Sequence, residues 1–342
     1  MTSVDSLWYT RCPVPAASGV AFQLGWLTEA FVDEGITVQA LQDAPPELAR
    51  HHFDHELLGL FREGGSVPAF AARSEGARTR VIGLTWIEEG QSIVVRPDSG
   101  IRSSRDLAGR TIGIPAWSDT RATSFPRAMG IHGFEQVLGT AGLTLDDVRI
   151  VEFENELSSL LNPRSGQPSD VFGVDAVVDG RVDAVYGKGA AFAEQAARAG
   201  LVVAVDLDAL PERRFRINNG TPRPITVHER LLEERPDIVV RFLVASLRAS
   251  DWAAEHPDEL RGIVARETLS GASGIDAVHA DDFHRHLHPD LSDERVELFA
   301  VQQQFLQVHG FLQHNFSLDD WIAREPLDEA RALLSTASAT AA

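Results

Sequence analysis

Leu7-Trp8-Tyr9, Cys12-Pro13-Val14-Pro15, Val20 to Phe31 and Ile36-Thr37-Val38-Gln39-Ala40-Leu41 follow one another near the start of the chain, and their order decides the fold. The first is a short apolar run. Val20 to Phe31 repeats apolar residues at helical spacing, Gly35 stops it, and Ile36 to Leu41 has the β-branched content of a strand. Strand, helix, strand implies a parallel βαβ unit, because parallel neighbours need a crossover and a helix supplies the favoured right-handed one.

Working outward, Arg80 to Leu84, Ser92 to Val95 and Ser104 to Pro115 read as strand, strand, then a short capped helix and a strand. Further strands are expected near Val148 to Phe153, Ala184 to Tyr186 and Leu201 to Val205, with helices between them. After Arg214-Phe215-Arg216-Ile217-Asn218-Asn219-Gly220 the pattern changes to long helices, Leu231 to Ala254 and Asp293 to Phe311, each with an apolar face. The expected organisation is α/β in two lobes. Lobe I comprises 1–95 and 217–342 and carries Cys12, His52 and Arg62; lobe II, 96–216, is inserted and closes over a cleft.

The bulk numbers fit that size. At 342 residues the chain exceeds one ordinary domain, and 44% hydrophobic with 24% charged residues is the makeup of a soluble globular protein. A formal charge of -19 opposes nucleic acid as a partner, since duplex binding needs a clustered basic surface. An anionic ligand would then rely on individual arginines. The start, Met1 to Ser6, lacks the cationic and apolar regions of a secretory signal, and no apolar run approaches membrane-spanning length, so a cytoplasmic monomer without membrane partners is expected. Cys12 is the single cysteine, which excludes an intramolecular disulfide and leaves two readings, a small buried apolar residue or a reactive thiol.

Asp106 to Ile114 and Glu234 to Phe242 resemble segments of the solute-binding proteins of ABC importers for sulfonates or thiamine precursors. A narrower resemblance, from Tyr9 to Trp321, is to the biodesulfurisation desulfinases that act on 2'-hydroxybiphenyl-2-sulfinate. Cys12-Pro13-Val14-Pro15 and His52-Phe53, Arg62, Gly64-Gly65 carry it. It implies a periplasmic-binding-protein-like clamshell of type II, each lobe a mixed sheet flanked by helices. It also implies roles: Cys12 as the essential thiol, His52 and Arg62 in the same active site, the Gly65 amide and Arg62 on the sulfinate, and Tyr186 and Lys188 as further substrate-binding positions.

These residue types suit that chemistry. Cys12 is expected just past the carboxyl end of the first strand and before a helix, where open α/β sheets place their ligand crevice and where an amide-rich helix start favours an anion. A sulfinate offers two oxygens in a fork, which the planar guanidinium of Arg62 matches and a lysine does not. His52 is of the one side-chain type that exchanges protons easily near neutrality. No cofactor and no metal are called for. His284, His286 and His288 alternate, but Asp281, Asp282 and Pro289 suggest a helix and its exposed end, and Gly180 to Lys188 fails as a phosphate loop because Gly189 replaces the required Ser/Thr.

Three departures from the family bear on the substrate. Ala116 to Leu143 is shorter by about a helical turn or more, in a region that covers the pocket. Gly187-Lys188-Gly189-Ala190-Ala191 replaces bulky aromatics, which weakens stacking on a biphenyl; Lys188 reads as a solvated lysine or as a contact for a second anionic group. Arg11 precedes the thiol where the family is uncharged, and either strengthens thiolate character or points to solvent. The leading expectation is a hydrolase that cleaves the carbon–sulfur bond of an organic, aryl-type sulfinate and releases sulfite. The rival is a non-catalytic cytoplasmic solute-binding or sensor protein for a small sulfonate- or sulfinate-like anion; a third is another lyase or hydrolase using the same thiol.

Overall fold

The computed structural model, which describes residues 4–11, 14–154, 170–268 and 270–341, contains the expected βαβ start. β1 (Ser6–Tyr9) pairs in parallel with β2 (Thr37–Ala40) on one side and β3 (Leu60–Glu63) on the other. Leu7 and Tyr9 turn inward and are buried, as strand alternation requires. The helix between β1 and β2 is two helices, α1 (Ala17–Gln23) and α2 (Trp26–Phe31). Gly25, at φ +79°, separates them in the left-handed conformation that glycine adopts without penalty. α1 buries a face of small residues, Ala17, Ser18, Gly19 and Ala21 among them, and so approaches its neighbours closely.

β4 (Thr79–Thr85) and β10 (Arg223–His228) complete the first sheet in the order β2-β1-β3-β10-β4, with β10 antiparallel to β3 and β4. The second sheet runs β7 (Arg149–Phe153), β6 (Thr111–Pro115), β8 (Ala184–Gly187), β5 (Ser92–Val95), β9 (Val202–Asp206), with β5 antiparallel to β8 and β9. Each sheet therefore takes its antiparallel strand just after the chain has crossed from the other lobe. This moves one boundary. A lobe I ending at residue 95 would own β5, but Ser92 to Val95 pair with Gly187 to Ala184 in the second sheet, so the first crossing lies at 86–91. The return lies between β9 and β10, at 207–222.

Further helices are α3 (Pro46–Ala49), α4 (His51–Asp54), α5 (Ser66–Ser74) and α6 (Phe125–Thr140). The long helix expected over Leu231 to Ala254 is broken into Glu229–Glu234 and Pro236–Glu255. Pro236 lacks an N–H and forces Arg235 out of helical geometry, to φ −138° and ψ 56°. Under the first sheet the Phe61 ring stacks on Phe242 at 3.9 Å, and Trp321, fully buried against Phe70 and Phe299, donates its indole N–H to Thr79 Oγ1 at 3.0 Å. Each such phenylalanine contributes about 1.5–3 kcal/mol by leaving water. His284, His286 and His288 form no strand: a 3-10 turn covers Phe283–Arg285, and His286 and His288 face Asp282 and Asp251.

The segment before α6 reaches across to lobe I. Trp117 stacks on Phe311 at 4.5 Å, Arg121 pairs with Glu75 at 3.3 Å, and Phe125 at the head of α6 lies parallel to Phe53 at 6.5 Å. Among the described residues no helix is long and apolar enough to cross a membrane.

Candidate active site

β1 and β3 are parallel neighbours, so the chain leaves both at the same edge of the sheet. Thr10 Oγ1 donates to the Glu63 carbonyl at 2.9 Å and ties the two exits together. Cys12 and Pro13 themselves lie outside the described residues. On either side of them, the Arg11 amide donates to Gln42 Oε1 at 2.6 Å and Val14 is buried. The Arg11 guanidinium forks onto Asp43 at 3.0 and 2.7 Å, so its charge is engaged by a carboxylate.

Arg62, at the end of β3, has no exposed surface. Its Nε donates to the His52 carbonyl at 2.8 Å, its Nη1 donates to the Gly65 carbonyl at 3.0 Å, and its Nη2 lies 3.4 Å from His52 Nε2. Gly64 makes room for this arrangement, since a Cβ there would come within 2.7 Å of Arg62 Cζ. The guanidinium plane is thus fixed before any ligand arrives, which limits the side-chain entropy lost on binding.

The contact with Nη2 makes His52 Nε2 the acceptor and leaves the imidazole proton on Nδ1. Nδ1 is buried and has no partner among the described residues. Burial, then the positive charge of Arg62, hold the His52 pKa well below its ordinary value, so the ring is neutral at pH 7. His55, in the left-handed conformation at φ 60°, is depressed for the same two reasons. The spacing of His52 and Arg62 in the sequence therefore corresponds to direct contact.

Gly65 follows at the start of α5. Its carbonyl is held by Arg62, and its amide has no acceptor among the described residues. The next two amides are taken: Ser66 N–H donates to the Asn219 carbonyl at 2.6 Å and Val67 N–H to Asn219 Oδ1 at 2.8 Å.

Tyr186 and Lys188 belong to the other lobe, on and just beyond β8. Tyr186 is buried, its hydroxyl donates to Gln91 Oε1 at 2.8 Å, and a Cβ on Gly133 of α6 would run into its ring. Lys188 is not a solvated side chain. With 12% of its side chain exposed it lies 2.8 Å from Glu89 Oε2, and Arg223 contacts the other oxygen of the same carboxylate. Burial pushes the Glu89 pKa up, but Arg223 and Lys188 outweigh it and hold the group below the usual carboxylate range. Glu89 belongs to the first crossing, Lys188 to lobe II and Arg223 to lobe I, so this network joins the lobes. Part of the aromatic bulk that the sequence lacks after Tyr186 returns from the next helix, because Phe192 occupies the space over Gly187.

Sequence reasoning missed Glu63, Glu89, Asn219 and Arg223. Glu63 is buried and accepts from Ser18 Oγ at 2.7 Å and Thr85 Oγ1 at 3.1 Å; burial raises its pKa against those bonds and the charge of Arg223. No local signal marks Glu89, since Glu88-Glu89-Gly90 reads as a surface turn. Asn218-Asn219-Gly220 was visible as a change of character but not as part of a site. Among the described residues one group has metal-ligand chemistry: His51, Asp54 and Glu56 bring ligand atoms within 4.8 Å of one another. His51 and Asp54 already pair at 2.7 Å and Glu56 is exposed, which is the pattern of an ion-paired surface turn.

The family model described as NMT1/THI5 like matches residues 19–260. The chain is 28% identical over 359 aligned residues to 2'-hydroxybiphenyl-2-sulfinate desulfinase of Rhodococcus erythropolis, covering 95% of this chain and 93% of the relative. It is 27% identical over 251 residues to a putative aliphatic sulfonates-binding protein of Bacillus subtilis, covering 70% of this chain and 63% of that one. Among solved structures it superimposes, at a TM-score of 0.80 and 26% identity, on a Cys-to-Ser mutant of the desulfurization enzyme DSZB in complex with biphenyl-2-sulfinic acid; the match covers 96% of this chain and 99% of the other. The periplasmic aliphatic sulphonate binding protein SsuA of Escherichia coli matches at a TM-score of 0.67 and 14% identity, a likeness of fold.

Proposed function

The chain belongs to the NMT1/THI5-like family and is a homologue of the 2'-hydroxybiphenyl-2-sulfinate desulfinases, and from that premise we propose that it hydrolyses the carbon–sulfur bond of an organic sulfinate to the desulfinated product and sulfite. The observation that carries this reading furthest is the preset Arg62 guanidinium, braced on His52 and Gly65 at the edge where the chain also leaves β1 after Tyr9.

In this reading Arg62 and the Gly65 amide receive the two sulfinate oxygens. The Cys12 thiol delivers its proton to the carbon that bears sulfur, the C–S electron pair becomes the new C–H bond, and sulfur dioxide leaves. Water then adds to sulfur dioxide to give bisulfite, and the proton released returns to the thiolate. The neutral ring of His52 supports this order over initial thiolate attack on sulfur. A base whose pKa is well below 6.5 takes little share of a proton from a thiol of ordinary pKa about 8.5. Its Nδ1–H suits instead a donor to the transient thiolate.

An aryl sulfinate is the favoured substrate class. The likeness to the biphenyl sulfinate desulfinases supports an aryl group, and the glycines and alanines of Gly187 to Ala191 offer little stacking for a second ring. The test is sulfite release from a panel of aliphatic, monocyclic and biaryl sulfinates by the purified chain. Turnover of a monocyclic aryl sulfinate is expected, and binding of the panel without sulfite would leave the sulfonate-binding relative as the better guide.

A further inference from the structure

We propose that Asn219 is a sulfinate-binding residue whose side-chain N–H completes, with the Gly65 amide, the donor set at the start of α5; the assignment rests on the desulfinase reading of this site. Asn219 lies in the return crossing, far from Gly65 in sequence, and is 6% exposed. Its orientation is fixed by its neighbours. Oδ1 accepts from Val67 N–H at 2.8 Å, the carbonyl accepts from Ser66 N–H at 2.6 Å, and the Asn219 amide donates to Asn218 Oδ1 at 2.8 Å.

With Oδ1 committed as an acceptor, Nδ2 must be the free end of the carboxamide, and it has no hydrogen-bond partner among the described residues. In a residue so little exposed, an amide donor left in that condition is open to a ligand or to water. It lies against Gly65, where a Cβ would run into the carboxamide. Ser66 Oγ, which is fully buried, is likewise without a partner among the described residues.

The helix start thus has its second and third amides consumed by Asn219. What remains for an anion is the Gly65 N–H, flanked by the Asn219 carboxamide and backed by Arg62 through the Gly65 carbonyl. A neutral donor here has a chemical reason. A third cation beside Arg62 and Arg223 would hold the sulfite product as firmly as the substrate, whereas an amide adds direction without charge. The same loop also reaches lobe II, because Asn218 Nδ2 donates to the Met129 carbonyl of α6 at 3.2 Å. The loop that carries the donor is therefore held from both lobes, by α5 through Ser66 and Val67 and by α6 through Asn218.

Asn219→Asp separates binding from capping. Aspartate keeps an acceptor for Val67 N–H and is as good a partner for a helix start, so the thermal midpoint should not fall. It replaces the donor with a negative oxygen, so affinity for benzenesulfonate, measured by calorimetry, and kcat/KM for benzenesulfinate should each fall about 100-fold or more, chiefly through KM. Asn219→Ala should lose about 10- to 100-fold in the same assays and also lower the midpoint. Wild-type binding and turnover by Asn219→Asp, with only a lowered midpoint for Asn219→Ala, would make Asn219 a cap alone and overturn the proposal while leaving the desulfinase reading intact. Benzenesulfonate binding that Asn219→Asp abolishes, in a wild-type chain that releases no sulfite, would uphold the donor and overturn the enzymatic reading instead.

Discussion

Arg62→Lys keeps the charge and removes the fork. In the structure the guanidinium donates from two different nitrogens to the His52 and Gly65 carbonyls, at 2.8 and 3.0 Å. A lysine ammonium is a point donor on a stem of different reach and keeps at most one of the two. At least one charge-assisted bond is lost inside a site with no solvent to replace it, about 1.5–3 kcal/mol of stability. In the proposed binding mode the same change also weakens the charge-assisted contact of Arg62 with the sulfinate, a second loss of similar size, so kcat/KM should fall by roughly 10- to 100-fold beyond any unfolding. Urea denaturation at pH 7.5 reads the first effect and initial rates of sulfite release read the second. Lysine at this position with wild-type stability and wild-type kcat/KM would refute the claim that the planar guanidinium is what the site requires.

Gly65→Ala should be disruptive although φ −51° and ψ 144° suit any residue, because the new methyl displaces the Asn219 carboxamide and uncaps Ser66 and Val67. A loss of about 1–3 kcal/mol by urea titration, with at least tenfold slower sulfite release, is expected. His132, buried and stacked on Phe305 at 3.9 Å, has its pKa lowered by burial to about 3. Below about pH 6.5 the unfolded chain therefore takes up a proton that the folded chain refuses, and stability falls toward acid by up to about 1.4 kcal/mol per pH unit from this group. His132→Phe should flatten the dependence of unfolding free energy on pH between 6 and 4, and parallel slopes for the two proteins would contradict this.

Local patterns carried the βαβ start, and the mixed sheets followed from the family resemblance. Leu7 to Tyr9 and Ile36 to Leu41 declare themselves by strand composition, and the helical period between them is clear. Breaks inside helices were harder to read. Gly25 and Pro236 each interrupt an apolar period that continues on both sides, so periodicity alone runs through them. The crossing was misplaced for a topological reason: Ser92 to Val95 look like any buried strand, and only pairing with Ala184 to Gly187 tells which sheet owns them.

The site divided along similar lines. His52, Arg62 and Gly65 are close in sequence and carried a recognisable spacing, and the structure places them in contact. Asn219 and Glu89 come from the two crossings and Arg223 from the start of β10, and their contacts depend on long-range packing that no local window contains. Lys188 shows how charge misleads: a lone lysine between glycines suggests solvent, yet most of it is withdrawn from water because Glu89 offsets the cost.

The most direct test of a thiol-dependent desulfinase is a comparison of the wild-type chain with Cys12→Ser, given one equivalent of benzenesulfinate and followed for sulfite, benzene and bound ligand together. Wild type should release sulfite and benzene in equal amounts, while Cys12→Ser binds benzenesulfinate with near wild-type affinity and releases neither. Sulfite formation by Cys12→Ser at the wild-type rate would contradict the account.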